Sequence, residues 1–254
     1  MTVRLIVRTF SEFCVTVGAL IVLFVAYVLF WTGVRADSAM DGELDRLQDR
    51  WSSGPVADAK PGAEPEPGAG AGADGKGQGS NQDERNPALD WKPSAKPYRD
   101  GESFAVMRIP RFGDSWKKPV LEGTGTGTLK KGLGHYDATA RLGATGNFSV
   151  AGHRRTYGDP FKDFPKLRPG DAVVLTDGTD WFTYRIDKRP YRTLPSDVGV
   201  LDPVPRASGY RGPGRYLTLT TCEPEWGHSH RLIAWAHLDS IQPVEQGEPQ
   251  ALHS

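Results

Sequence analysis

Three residues of this chain have the types and placement to perform nucleophilic chemistry: Cys222, Arg231 and His153. A thiol with an ordinary pKa near 8.5 is only a few per cent thiolate at neutral pH, and the thiolate is the attacking species. A neighbouring cation raises that fraction. Arg231 is the best candidate, because a guanidinium never loses its charge in water. His153 follows directly on the apolar run Asn147–Gly152 and has the pKa range to give and take a proton. A thiol, an imidazole and a guanidinium gathered in one cleft would supply a nucleophile, a proton carrier and a fixed positive charge. Other histidines compete. His228 and His230 stand between Cys222 and Arg231, and Cys-x5-His-x-His has a zinc-like spacing, but no further ligand cluster accompanies it, so no metal is expected. His135 reads as a loop or strand-end residue near the cleft, His237 as structural and His253 as part of a polar tail.

The elements around these residues must bring them together. Tyr216-Leu-Thr-Leu-Thr-Thr221 is rich in β-branched and aromatic residues and predicts a strand ending at Cys222. A polar loop follows, Glu223 to His230, and then Arg231–His237 predicts a second strand. If the two pair, thiol and guanidinium meet. Alternation puts Thr218, Thr220 and Cys222 on one face and Leu217, Leu219 and Thr221 on the other, so the leucines go to the core and Cys222 opens to a cleft. Upstream, Phe104–Pro110, Pro119–Glu122 and Asn147–Gly152 read as strands, and Asp171–Thr176 and Trp181–Asp187 flank the turn dipeptide Asp177-Gly178 as a hairpin. The count reaches seven or eight short strands with one short helical turn between Pro160 and Leu167. That pattern predicts an all-β, closed or nearly closed barrel.

Thr218-Leu-Thr-Thr-Cys222, Arg231 on the following strand and Val150-Ala-Gly-His-Arg154 together resemble the sortases, cysteine transpeptidases of Gram-positive cell surfaces. The resemblance covers about Phe104 to Ser240 and implies an eight-stranded barrel. It also implies roles. Cys222 would attack the carbonyl of a Thr-Gly bond in a sorting signal, His153 would protonate the leaving amine and later deprotonate the incoming one, and Arg231 would hold substrate and oxyanion. Thr221 and Thr220 become candidate substrate contacts, although alternation turns Thr221 away from the face of Cys222. Ile109-Pro-Arg-Phe-Gly113 and Cys222-Glu-Pro224 resemble class E, the housekeeping sortases of high-GC actinobacteria, which are associated with a Leu-Ala-x-Thr-Gly signal in place of Leu-Pro-x-Thr-Gly. Phe112, a further candidate substrate contact, stands where that class often has Tyr. The implied partners are secreted proteins bearing such a C-terminal signal and the amine of a peptidoglycan precursor or a pilin; no cofactor is implied.

The first hundred residues have other work. Phe13–Trp31 is a charge-free run of nineteen residues, about enough to cross a hydrocarbon core of roughly 30 Å. It ends in bulky Leu-Phe-Trp with no small-x-small cleavage site, so it predicts an uncleaved anchor rather than a signal peptide. With residues 1–12 inside, the catalytic part lies outside the cell membrane. Cys14 is then in the membrane and Cys222 outside it, which rules out a disulfide between them. Residues 32–97 read as an extracytoplasmic linker with a weakly amphipathic helix over 39–51. Its stretch 54–79 holds eight Gly, six Ala and four Pro and predicts a flexible tether. Residues 98–245 form the expected catalytic domain and 246–254 a tail. Lys plus Arg and Asp plus Glu number 31 each, and no basic block stands out, so nucleic acid is not an expected partner. An L,D-transpeptidase would need a His-Gly-Cys motif, and a papain-like peptidase a Cys before its His on a helix. A membrane-anchored binding protein with a degenerate barrel is the alternative from outside enzymology.

Overall fold

The computed structural model describes residues 2–53, 91–92 and 97–253. Nine strands follow one long N-terminal helix, α1 (Thr2–Ser52): β1 (Ser103–Arg108), β2 (Lys117–Glu122), β3 (Leu133–His135), β4 (Gly146–Ala151), β5 (Ala172–Thr176), β6 (Asp180–Ile186), β7 (Tyr191–Thr193), β8 (Arg215–Glu223) and β9 (His230–Pro243). Hydrogen bonding runs β6-β5-β1-β2-β3-β4-β8-β9, and β9 pairs back onto β6. Eight strands therefore close a barrel with no free edge, in line with the closed barrel expected from the strand pattern and the count of eight implied by the resemblance. The ninth, β7, is an addition. β9 is long enough to serve two neighbours on one side: Ala236–Pro243 pair with β6, while Arg231–Ile233 pair with β7.

The interior follows from alternation. Leu217 and Leu219 of β8, Phe148 and Val150 of β4, and Phe182 and Tyr184 of β6 are fully buried in one core. Removing a large apolar side chain from such a core costs about 2–5 kcal/mol. The opposite face of β8 and β9 is also covered. Residues between β7 and β8 fold over it, so that Val200 packs on Ile233 and Trp235, and Thr218 and Trp235 bond the Val200 carbonyl.

Two of the joins set up the site. β4 and β8 are parallel neighbours, with Ala151 opposite Thr220. β8 and β9 are antiparallel, with Cys222 directly opposite Arg231. The C-terminal ends of β4 and β8 and the start of β9 therefore meet at one end of the barrel. The turn joining β1 to β2 is at that end too, because β1, β2, β3 and β4 pair in succession.

The structure departs from the sequence expectations in three places. β3 and β7 lack the β-branched runs that mark a strand; β3 is Leu-Gly-His, wedged between β2 and β4. A Cβ on Gly134 would lie 2.5 Å from the Gly123 carbonyl oxygen, so glycine serves a close backbone approach there. The helix expected over 39–51 continues the anchor, α1 running unbroken from Thr2 to Ser52, but its last turns pack Leu44 and Leu47 on Val106 of the barrel, where a linker was expected. The residues expected as a polar tail fold back, placing Ala251 and Leu252 against Ala172, Val174 and Trp181. Within α1, Val7–Tyr27 has mean hydropathy 2.1 and is long and apolar enough to cross a bilayer. The tether expected at 54–79 lies outside the described residues.

Candidate active site

Cys222 is half-buried at the end of β8, just before a cis Glu223–Pro224 peptide. His153 is the second residue past β4, and the parallel register carries it to the level of Cys222. Both side chains line one cleft of about 190 Å³, walled by Arg154 and Arg155 on one side and by Glu225, Trp226 and His228 of the β8–β9 loop on the other. Arg231 lies across the strand pair from Cys222 and lines an adjoining hollow of about 120 Å³ with Thr220, Tyr136, Leu194 and Val198. Its Nη1 donates to the carbonyls of His228 at 3.1 Å and His230 at 3.0 Å. The rest of the guanidinium fork makes no hydrogen bond among the described residues.

His153 is held by its backbone. The Phe161 N–H donates to the His153 carbonyl at 3.0 Å, and the Gly152 N–H donates to the Thr220 carbonyl at 3.1 Å. A Cβ on Gly152 would lie 2.6 Å from the Phe161 ring and 2.7 Å from Leu133, so only glycine fits before the histidine. The imidazole sits 5.0 Å from the Tyr157 ring, centroid to centroid. Neither of its nitrogens bonds a protein group among the described residues. Burial, and then the nearby Lys130 ammonium, hold its pKa below the ordinary 6.5. Both effects favour the neutral imidazole, the form that can accept a proton.

The three candidate substrate contacts divide. Thr220 reaches the Arg231 hollow, where its hydroxyl and that of Tyr136 are 3.1 Å apart. Thr221 turns away, as alternation required. Like Thr220 it is 3 % exposed, but it donates to the Gly152 carbonyl at 2.8 Å and lines neither hollow. Phe112 lies at the same end of the barrel, edge-on to Trp116 at 5.2 Å, and Trp116 in turn stacks on Phe161. It lines neither hollow.

Sequence reasoning did not single out Arg154. Its guanidinium is 8 % exposed, forms an ion pair with Glu223 and donates to the Cys222 carbonyl at 3.4 Å. It therefore ties the residue after His153 to the strand end that carries the thiol. The adjacency of Arg154 to His153 and of Glu223 to Cys222 was visible, but the parallel β4–β8 pairing that joins them was not. His230 accepts from Arg192 at 3.1 Å through Nδ1. Among the described residues no three His, Cys, Asp or Glu side chains are grouped to hold a metal ion.

Comparison with known proteins agrees with this geometry. The sortase domain model matches residues 107–239. Sortase SrtE1 of Streptomyces coelicolor is 35 % identical over 97 % of this chain, which spans 61 % of that relative's length. Sortase SrtE2 of the same organism is 31 % identical, over 94 % of this chain and 84 % of the relative. Among solved structures, sortase E from Streptomyces avermitilis is 74 % identical, covers 61 % of this chain and 99 % of its own, and superposes with a TM-score of 0.58. Sortase E1 from Streptomyces coelicolor, solved with a tripeptide in the active site, is 40 % identical over 60 % of this chain and 97 % of its own, with a TM-score of 0.57.

Proposed function

This chain belongs to the sortase family of cysteine transpeptidases, and we propose that it uses Cys222, His153 and Arg231 to cut a Thr-Gly bond and rejoin the acyl half to an amine. The observation that carries this reading is the single cleft shared by Cys222 and His153, with Arg231 in register across the strand pair.

The steps follow from the chemistry of the groups. Cys222 gives its proton to the neutral His153 imidazole, and the thiolate attacks the threonyl carbonyl carbon, whose oxygen gathers charge. The free part of the Arg231 fork and a backbone N–H near Cys222 stabilise that oxyanion. The C–N bond breaks as the departing amine takes a proton from His153, leaving the acyl group on sulfur as a thioester. A second amine then attacks the thioester and gives its proton to the imidazole, and Cys222 leaves as a thiolate. The imidazolium returns that proton to sulfur, which restores the thiol and the neutral imidazole for the next turn.

The substrate is a protein carrying a C-terminal Leu-Pro-x-Thr-Gly or Leu-Ala-x-Thr-Gly type of signal. A peptide lies in the active site of the S. coelicolor relative, which supports a peptide lying in the corresponding cleft here. Thr220 is the threonine that would touch it. Thr221 and Phe112 support the cleft from beneath, through Gly152 and the Trp116–Phe161 pair. The acceptor is the amine of a peptidoglycan precursor or a pilin. Val7–Tyr27 anchors the chain in the cell membrane, with residues 98–245 as the catalytic domain on its outer side.

The test is a two-substrate assay. A peptide containing Leu-Ala-x-Thr-Gly or Leu-Pro-x-Thr-Gly is incubated with an amine such as a glycine peptide, and products are read by mass. Transfer of the acyl half to the amine, lost in Cys222→Ala and in His153→Ala, is expected. Turnover that persists in Cys222→Ala would overturn the assignment.

A further inference from the structure

The way α1 lies on the barrel fixes which end of the barrel looks toward the membrane. Met40, 1 % exposed, and Asp37 press on the loop after His153: a Cβ on Gly158 would lie 2.7 Å from the Asp37 carboxylate and 3.1 Å from the Met40 methyl. Eleven residues on, Trp51 covers Gly178 in the β5–β6 turn, at the opposite end of the barrel. Between them Glu43 bonds the Ser103 hydroxyl at 3.1 Å, and Arg50 donates to the Ser103 carbonyl at 2.9 Å. The helix therefore runs from the cleft end to the far end, and its apolar span, Val7–Tyr27, projects on the cleft side. Only ten residues separate Tyr27 from Asp37, about 15 Å of unbroken helix. The headgroup layer takes up about 5–8 Å of that, so the loop at Gly158 stands within about 10 Å of it.

The surface presented there has the matching chemistry. Outside α1, the exposed large apolar side chains among the described residues are Trp226 (70 %), Val198 (72 %), Leu194 (55 %) and Tyr191 (41 %). All four belong to the β8–β9 loop or to β7 and the loop leaving it. β7 runs toward the cleft end, since Thr193 pairs with Arg231. Arg155 lies 4.5 Å over the Trp226 ring and still leaves most of it bare. Lys117, Lys130 and Lys162, exposed at the same end, make no ion pair among the described residues. An apolar, aromatic rim on the same barrel end as these lysines suits the interface of an anionic bilayer.

We infer that the cleft end of the barrel docks on the outer surface of the same membrane that holds α1, with Trp226 and Val198 in the headgroup layer and the Cys222–His153 cleft opening at that surface. The inference rests on the proposed anchoring of α1. In that pose the cleft works only within reach of the headgroups, and a peptide presented far from the bilayer meets the closed flank of the barrel.

The test uses the full chain in vesicles of phosphatidylcholine and phosphatidylglycerol, in a Cys14→Ser, Cys222→Ala background. Spin labels are placed one at a time at Val17→Cys, Val198→Cys, Trp226→Cys and Thr179→Cys, and depth is read from accessibility to oxygen against a nickel chelate. The expected result is a core depth at 17, an interfacial depth at 198 and 226, and water at 179, with nickel accessibility several-fold lower at 226 than at 179. Core depth at 17 with aqueous values at both 198 and 226 would overturn the docking and leave the anchor standing. Water at 17 would overturn both. Shielding of 226 that appears only on adding a signal peptide would assign the rim to substrate and end the proposal.

Discussion

At the residue scale, the arrangement separates a group that supplies charge from one that supplies direction. Arg231 uses one nitrogen to pin the carbonyls of His228 in the β8–β9 loop and His230 at the start of β9, and leaves the rest of its fork toward the hollow shared with Thr220. Lys at 231 would keep the charge and lose the planar fork. Arg231→Lys should lower kcat/KM on the order of 10²-fold, the scale of one lost oxyanion donor; near-normal activity would show that charge alone suffices. His153 makes a second prediction. Burial and Lys130 hold its pKa below 6.5, so the folded chain binds that proton less readily than the unfolded chain does. Its contribution to stability is thus neutral at high pH and becomes unfavourable as pH falls below about 6.5. An NMR titration of the imidazole should give a value below 6.5, rising in Lys130→Gln. His228→Ala and His230→Ala should keep most of the activity, since neither residue has His153's place past the end of β4. Loss of turnover in either, with His153→Ala tolerated, would reverse the assignment.

At the scale of elements, the site depends on the ends of three strands. Gly152 is the tightest point, with its N–H on Thr220, its carbonyl on Thr221 and Phe161 where a Cβ would go. Gly152→Ala should cost about 1–3 kcal/mol of stability, as overpacking does, and should slow turnover by displacing His153. A thermal melt and a rate measurement check both parts. The β8–β9 hairpin was legible in the sequence, because Tyr216–Cys222 and Arg231–His237 alternate cleanly around a polar loop. That was enough to place thiol opposite guanidinium. The β4–β8 pairing was not legible: it joins strands more than sixty residues apart, and no local pattern encodes a parallel neighbour. For the same reason Arg154 and Glu223, each next to a known candidate, could not be read as partners. β3 was hidden by its glycine, Gly134, which weakens strand propensity while allowing the close approach the barrel needs.

At the scale of the whole molecule, the end of the helix packs on the barrel where the sequence suggested an anchor followed by a linker with a weakly amphipathic helix. The amphipathic signal at Leu44, Leu47 and Trp51 was correct in spacing; only the surface it serves was invisible, since Val106 and Gly178 lie far along the chain. Leu47 is fully buried there, so Leu47→Asp should lower the melting temperature of the chain and raise amide exchange in β1; an unchanged melt would show that the helix does not pack on the barrel in solution. The claim on which the rest depends is that Cys222 carries the acyl group. Its most direct measurement is the intact mass of the protein after mixing with a signal peptide and no amine, followed by mapping of the modified fragment. The account predicts an adduct equal to the peptide's N-terminal half through Thr, located on Cys222 and discharged by an added amine. An adduct on another residue, or turnover with no acyl-enzyme at any time, would contradict it.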